Sequence, residues 1–333
     1  MMFQEVSKNT ERFIEQMPKE QRKQYGQFFT SMETARFMAS LFTIDSEKQL
    51  LYALDAGAGS GILSVALIEK CNAILHENQV LDLVCYENDP KVLPLLKENL
   101  DIAKRECRFQ LKTTIIEDNY ILSQRTAFDR DLFAQESLRQ YDLIIGNPPY
   151  KKIGKDALEA LAIPEVCYGA PNLYFLFAAM GIKNLKDDAE MVYIIPRSWT
   201  SGAYFEKFRK FLFSHACIEY IHLFESRNKV FDKESVLQET MIVKFKKNTR
   251  FPSCITISTS ATNKDFSDLH KLDVPYQVVV SDNHYYVHLV TDEEEVKSLQ
   301  SINHFKNTLV DLGLKMKTGL VVDFRSRELL RDS

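Results

Sequence analysis

The sequence predicts an α/β fold: a mostly parallel seven-stranded sheet with helices on both faces, an antiparallel hairpin at one edge, and a small α+β region after it. Three observations carry this. Apolar runs of strand length alternate with helical segments of roughly 10–15 residues, the pattern of βαβ units. A glycine-rich turn, "LDAGAGSG", ends the first apolar run. The last two strands of the alternating part have no helix between them, so they pair antiparallel.

In order along the chain, "SMETARFMASLF" reads as an amphipathic helix opened by a Ser31 or Thr30 cap. "QLLYALDAG" is a strand stopped by glycine, and "SGILSVALIEK" a helix. "VLDLVCYEND" is the second strand, followed by the helix "PKVLPLLKENLDIAKRE" with Pro90 in its first turn. "RFQLKTTIIED" is the third strand. A polar stretch from Gln124 to Gln140 leads to the fourth, "YDLIIG". Then come the helix "NLYFLFAAMGIKNLK", the strand "EMVYIIP", the helix "GAYFEKFRKFLF" and the paired strands "CIEYIHLF" and "QETMIVKFKK". After Asn248 the texture changes: "CITISTS", "YQVVV" and "HYYVHLV" read as short strands, "DEEEVKSLQSINHF" as an acidic helix, and the tail is basic. This divides the chain into an N-terminal helical segment (1–48), a catalytic domain (49–248) and a C-terminal extension (249–333).

Composition narrows the class. With 333 residues there is material for one large domain or two small ones. The chain is 45% hydrophobic and 26% charged, the profile of a globular protein. No apolar run approaches the roughly 20 residues that span a membrane, and the charged N-terminus does not read as a secretory signal. Six cysteines (Cys71, Cys85, Cys107, Cys167, Cys217, Cys254) form no CxxC pair, and the histidines show no metal spacing. That points away from a metal site and a disulfide framework, and toward a reducing cytoplasm. Formal net charge is −4, so any surface for nucleic acid is local.

The turn from Leu54 to Gly61 places Asp55 at a strand end, ahead of Gly57, Gly59 and Gly61. In α/β sheets ligands bind outside the carboxyl ends of strands, so this turn is a pocket by position. Its G-x-G-x-G spacing is not the dinucleotide fingerprint, and no phosphate-binding GK[ST] follows. An acid before the glycines repels a pyrophosphate but suits an ammonium group. S-adenosylmethionine has an ammonium, a ribose and no phosphate. Glu87, closing the second strand, can take both ribose hydroxyls, and Asp118, closing the third, can accept from the adenine amino group.

"NPPY" ends the fourth strand. Asn147 offers a side-chain carbonyl. Pro148 has no N–H and is held out of the helical region by Pro149, so its carbonyl is not spent in a helix ladder. Two such acceptors can grip both hydrogens of an exocyclic amine, while Tyr150 supplies a flat face for the ring that bears it. A ring amine is a poor nucleophile because its lone pair is delocalised, and acceptors on its hydrogens turn that pair toward an electrophile.

The ordered set "GQFFT", "LDAGAGSG", "YENDP", "IIEDNY" and "DLIIGNPPY" resembles the gamma-class adenine-N6 DNA methyltransferases of restriction–modification systems, the TaqI-like group, over roughly residues 24 to 247. The resemblance implies a Rossmann-like class I methyltransferase that moves a methyl group from S-adenosylmethionine to the N6 amine of an adenine flipped out of duplex DNA. It implies that Thr30 holds the methionine part of the cofactor, and that Asp55, Ala56, Gly57, Gly59, Glu87, Asn88, Asp118, Asn119 and Asn147 complete the cofactor site. Asn147, Pro148 and Tyr150 then hold the adenine, with Phe231 of "KVFDKE" as a second ring against it. Asp55 stands where some members have Glu, and Asp232 replaces the proline after the aromatic. Double-stranded DNA and a cognate restriction endonuclease are the implied partners. Members usually carry a longer C-terminal target recognition domain, so the expectation is a fragment or one half of a split enzyme. Lys151, Lys152, Lys155, Arg325, Arg327 and Arg331 are candidate phosphate contacts.

Two rivals share the chemistry. Glutamine methyltransferases acting on release factors use the same loop on an amide, but lack a stretch like "IIPRSWTSGAYFEKFRKFL"; RNA amino methylation is the other. A fused nuclease would need paired carboxylates and a lysine around a divalent cation. Asp282, Glu295 and Lys297 have that spacing, but in an acidic helix that reads as a solvated face.

Overall fold

The computed structural model describes residues 2–16, 18, 30–128, 138–224, 239–262, 266–281, 284–302, 305, 307 and 309–315. It has two compact units, Met1–Thr291 and Asp292–Ser333. The first opens with α1 (Met2–Gln16) and α2 (Met32–Ser40), the latter capped by the Ser31 side chain accepting from the Thr34 N–H. Alternation follows: β1 (Leu50–Ala56), α3 (Ile62–Asn72), β2 (Val80–Tyr86), α4 (Leu93–Glu106), β3 (Gln110–Ile116), the single turn α5 (Tyr120–Ser123) and β4 (Tyr141–Gly146). Next come α6 (Leu158–Ala162), α7 (Leu173–Asn184), β5 (Leu185–Pro196), α8 (Glu206–His215), β6 (Cys217–Phe224) and β7 (Thr240–Lys246). β8 (Cys254–Ser260), β9 (His270–Pro275) and the turn α9 (Tyr276–Val279) end the described elements of this unit. In the second unit, α10 (Glu293–Ile302) has no buried residue.

The strand order is β3-β2-β1-β4-β5-β7-β6-β8-β9. β3, β2, β1, β4 and β5 run parallel, and β7 is inserted antiparallel between β5 and β6. Every residue of β4 is buried, as expected of a central strand covered on both faces. α7 is apolar nearly all round and correspondingly buried. The chain winds from β1 outward to β3, then returns to β4 on the other side. That reversal opens a crevice at the carboxyl ends of β1 and β4.

The sheet has nine strands where seven are expected from the sequence. β8 joins β6 in parallel and buries Ile255 and Ile257, so it extends the main sheet. β9, "HKLDVP", has no apolar alternation to read, since only Val274 of it is buried. Two expected strands are absent as such. "YQVVV" forms α9, and "HYYVHLV" contributes an isolated bridge, Val280 to Val287. α4 begins at Leu93 with Pro94 in its first turn, which leaves Pro90 outside the helix.

Candidate active site

The turn after β1 folds over the end of β2. The Gly57 and Ala58 N–H groups both donate to the Tyr86 carbonyl, at 2.9 and 2.8 Å. Gly57, Gly59 and Gly61 all have positive φ, at 75°, 56° and 79°, a conformation costly for other residues. At Gly61 a Cβ would also sit 2.7 Å from Leu96 Cδ1.

This loop brings the backbone to Glu87. One oxygen of the Glu87 carboxylate accepts from the Gly59 N–H at 2.8 Å, and the other from the Asn88 and Asp89 N–H groups at 2.8 and 2.9 Å. Burial raises its pKa, and the three backbone donors oppose that shift. A carboxylate has about four acceptor positions, so Glu87 is held rigidly with capacity for a further donor.

Together these residues wall a cleft of about 480 Å³. Of the residues singled out in the sequence, Gly57, Gly59, Glu87, Asn88, Asp118, Asn119 and Asn147 line it. Asp118 is exposed and accepts from the Asn119 N–H at 2.6 Å. Asn119 caps α5 through its carbonyl oxygen and donates its amide to Glu159 at 2.8 Å. Sequence reading missed Glu159, Phe177 and Tyr120, which also line the cleft. Phe177 lies on a helix buried nearly all round, Tyr120 follows the acids that end β3, and their ring centroids lie 5.2 Å apart. Four acids (Glu87, Asp89, Asp118, Glu159) face one lysine, Lys151, in this lining. Such a cleft repels phosphates and favours a cation.

Asp55 and Ala56 are fully buried beneath the loop and are not part of the lining. Asp55 Oδ2 accepts from the Ser64 hydroxyl at 2.7 Å, while Oδ1 has no hydrogen-bond partner among the described residues. Burial pushes its carboxyl up to about 7.

Beside the cleft, at the end of β4, the Asn147 amide donates to the Thr30 hydroxyl at 3.1 Å. The Tyr150 hydroxyl lies 2.8 Å from Asn147 Oδ1 and 2.9 Å from the Ile194 carbonyl oxygen, so its single hydrogen is shared between two acceptors. Thr30, Asn147 and Tyr150 are therefore brought together. Tyr150 packs edge-on against Tyr174, with centroids 6.3 Å apart. Pro148 is buried and Pro149 lines the cleft. Beyond the loop the chain leaves and returns through a narrow neck. Lys152 bridges Asn172, Ile153 N–H donates to the Pro171 carbonyl, and Leu173 N–H donates to the Lys151 carbonyl. "GQFF" before Thr30, Phe231, Asp282, Arg325, Arg327 and Arg331 lie outside the described residues. Lys297 sits on the exposed α10 and pairs with Glu293, in keeping with a solvated face.

Residues 41–231 match the Eco57I restriction-modification methylase family. The chain belongs to that family. The chain is 34% identical to the type II methyltransferase M.PstI of Providencia stuartii, over 93% of its own length and 60% of the relative's. It is 33% identical to M.BsuBI of Bacillus subtilis, over 93% of the chain and 61% of the relative. The chain thus spans about three fifths of the length of these relatives. Among solved structures, a class I S-adenosylmethionine-dependent methyltransferase from Listeria monocytogenes superposes with a TM-score of 0.54 at 17% identity, covering 72% of this chain and 68% of that one. The chain has the class I methyltransferase fold, and S-adenosylmethionine is the cofactor that fold and family imply. The residues present fit it: the cleft is acidic, and the rigidly held Glu87 carboxylate lining it has capacity for a further donor. No helix among the described residues is long and apolar enough to cross a membrane.

Proposed function

We propose that this methylase transfers a methyl group to the N6 amine of an adenine flipped out of duplex DNA, as the modification arm of a restriction–modification system with a cognate endonuclease. The reading rests on the Thr30–Asn147–Tyr150 set at the end of β4, beside an acidic cleft. Bound S-adenosylmethionine supplies an electrophilic methyl group. The chain supplies orientation. Glu87 and Asp118 offer acceptors to the ribose and adenine of the cofactor. Thr30 and Tyr150 hold the Asn147 amide between their two hydroxyls. A carbonyl oxygen can accept two hydrogen bonds, so the Tyr150 bond is compatible with a second from a substrate amine. Pro148 offers its carbonyl to the amine's other hydrogen, and Tyr150 and Phe231 flank the base. In this reading residues 1–48 contribute Thr30, 49–248 carry the chemistry, and 249–333 begin the target recognition part.

The test is methyl transfer itself. Wild type and Asn147→Ala are incubated with methyl-labelled S-adenosylmethionine and mixed-sequence duplex DNA, and the DNA is digested to nucleosides. Label in N6-methyl-2′-deoxyadenosine, abolished by Asn147→Ala, is the expected result. Label in a deoxycytidine product instead, or no label in DNA from a chain that binds cofactor, would overturn it.

A further inference from the structure

The stretch that follows the catalytic loop returns to the cofactor cleft. Asn147, Pro149, Lys151 and Glu159, four positions of one continuous segment, all line it. In the strand order, β2 and β1 lie between β3, which ends before Asp118, and β4, which ends before Asn147. Three strand spacings of about 4.8 Å therefore separate the two ends, roughly 14 Å. The segment covers that separation, because α6 packs against α5, the turn that opens after Asn119.

Glu159 arrives there on an anchored turn. Its neighbour Ala160 is buried, as are Ile163 and Val166, and the Ile153 N–H closes the base of the segment on the Pro171 carbonyl. Asn119 then fixes the carboxylate. The Asn119 side-chain oxygen accepts from the Ile121 and Leu122 N–H groups at 3.0 and 3.1 Å, which leaves its amide nitrogen to donate. That nitrogen donates to Glu159 Oε1 at 2.8 Å. The Asn119 backbone N–H donates to Asp118 Oδ1 at 2.6 Å. Two carboxylates are thus tied to one asparagine, one through its backbone and one through its side chain.

Bracing an amide does not require a charge, since a neutral oxygen accepts the same bond. Glu159 is half-buried in a lining that already contains Glu87, Asp89 and Asp118. A fourth carboxylate there is held against like charge, a cost that a ligand with donors facing it offsets. A carboxylate has about four acceptor positions. Asn119 occupies one, and no second hydrogen bond or ion pair reaches Glu159 among the described residues. An exocyclic amine has two hydrogens and is fully satisfied only by two acceptors.

We propose that Glu159 is a second carboxylate for the cofactor's adenine: with Asp118 it takes the two hydrogens of the exocyclic amine and sets the preference for adenine over other purines. The proposal rests on the assignment of Asp118 to the cofactor's adenine, and not on which molecule receives the methyl group. It makes the segment after the catalytic loop part of the cofactor site.

The experiment is titration calorimetry on the full chain with two ligands. One is S-adenosylhomocysteine, and the other is its analogue with unsubstituted purine in place of adenine. Wild type is expected to prefer adenine about 100-fold. Glu159→Gln has one oxygen for two donors, the Asn119 amide and the ligand amine. Its preference should fall to about tenfold, with the purine analogue bound as in wild type. Glu159→Ala removes the brace on Asn119 as well. Both ligands should then weaken by a common factor while the preference stays at about tenfold. If both variants keep the wild-type preference, Glu159 only braces Asn119 and the proposal is overturned. A wild type that binds the two ligands alike overturns the assignment of Asp118 to adenine, and this proposal with it.

Discussion

Thr30 and Asn147 stand 117 positions apart in the chain, and the Asn147 amide donates to the Thr30 hydroxyl across 3.1 Å. In this arrangement Nδ2 faces the Thr30 hydroxyl and Oδ1 faces the Tyr150 hydroxyl. Thr30→Val keeps the shape and removes the acceptor. Methyl transfer is expected to fall about tenfold in kcat, with melting temperature little changed, while Thr30→Ser stays near wild type. Steady-state kinetics on the three proteins check this. A change in cofactor affinity alone would assign Thr30 a different task.

Tyr150 separates a hydroxyl function from a ring function. Tyr150→Phe loses the bonds to Asn147 Oδ1 and the Ile194 carbonyl and keeps the flat face. A stability loss of about 1–2 kcal/mol is expected in a denaturant melt, with partial activity. Tyr150→Ala should lose far more activity, since the stacking surface goes too. Equal activities for the two variants would remove the ring from the mechanism.

Glu87 is expected to set cofactor affinity. Glu87→Gln has one oxygen for three N–H donors from Gly59, Asn88 and Asp89, and turns an amide hydrogen toward at least one of them. Cofactor binding measured by titration calorimetry should weaken by about 100-fold. Unfolding should come about 1–3 kcal/mol sooner, because a buried donor is left unmatched.

Asp55 makes stability depend on pH. Burial raises its carboxyl to about 7, against the bonds from Ser64 and with some help from the Glu87 charge. An unfolded aspartate titrates near 3.9, so the folded chain holds this proton more tightly. The contribution is fully present below about pH 4 and is lost as pH rises through about 7. Asp55→Asn, equal in shape and uncharged, escapes that loss. In the cofactor-free protein it should be more stable than wild type at pH 8 by about 4 kcal/mol, with the gap narrowing below pH 7 and closing near pH 4. A gap of the same size at both pH values would show that another group titrates.

The parallel half of the fold was legible because each strand there ends in a chemical punctuation mark: glycine after Asp55, Glu87 after β2, Asp118 after β3, prolines after β4. The outer edge was not. β9 buries one residue, so no periodicity betrays it, and "YQVVV" has a strand's composition but closes a helical turn after Pro275. Of the residues that line the cleft, Glu87, Asp118 and Asn147 at strand ends stand out in the sequence, while Tyr120 and Phe177 do not. Phe177 sits on a helix buried nearly all round, where one ring facing a cleft looks in sequence like any other core residue. Asp55 was read as facing ligand from its position alone. Ser64, nine residues on, draws its side chain into the interior.

The neck formed by Lys151–Ile153 and Pro171–Leu173 has a consequence for how such enzymes diversify. A segment tied off at its base passes little of its own change back to the chain that carries it. Residues 154–170 can therefore change in length with little strain on the rest of the fold, provided Glu159 keeps its bond to Asn119 at the cleft and the anchors Ala160, Ile163 and Val166 still find their places inside. Most of the loop is then free to drift while a single carboxylate ties its inner face to the site.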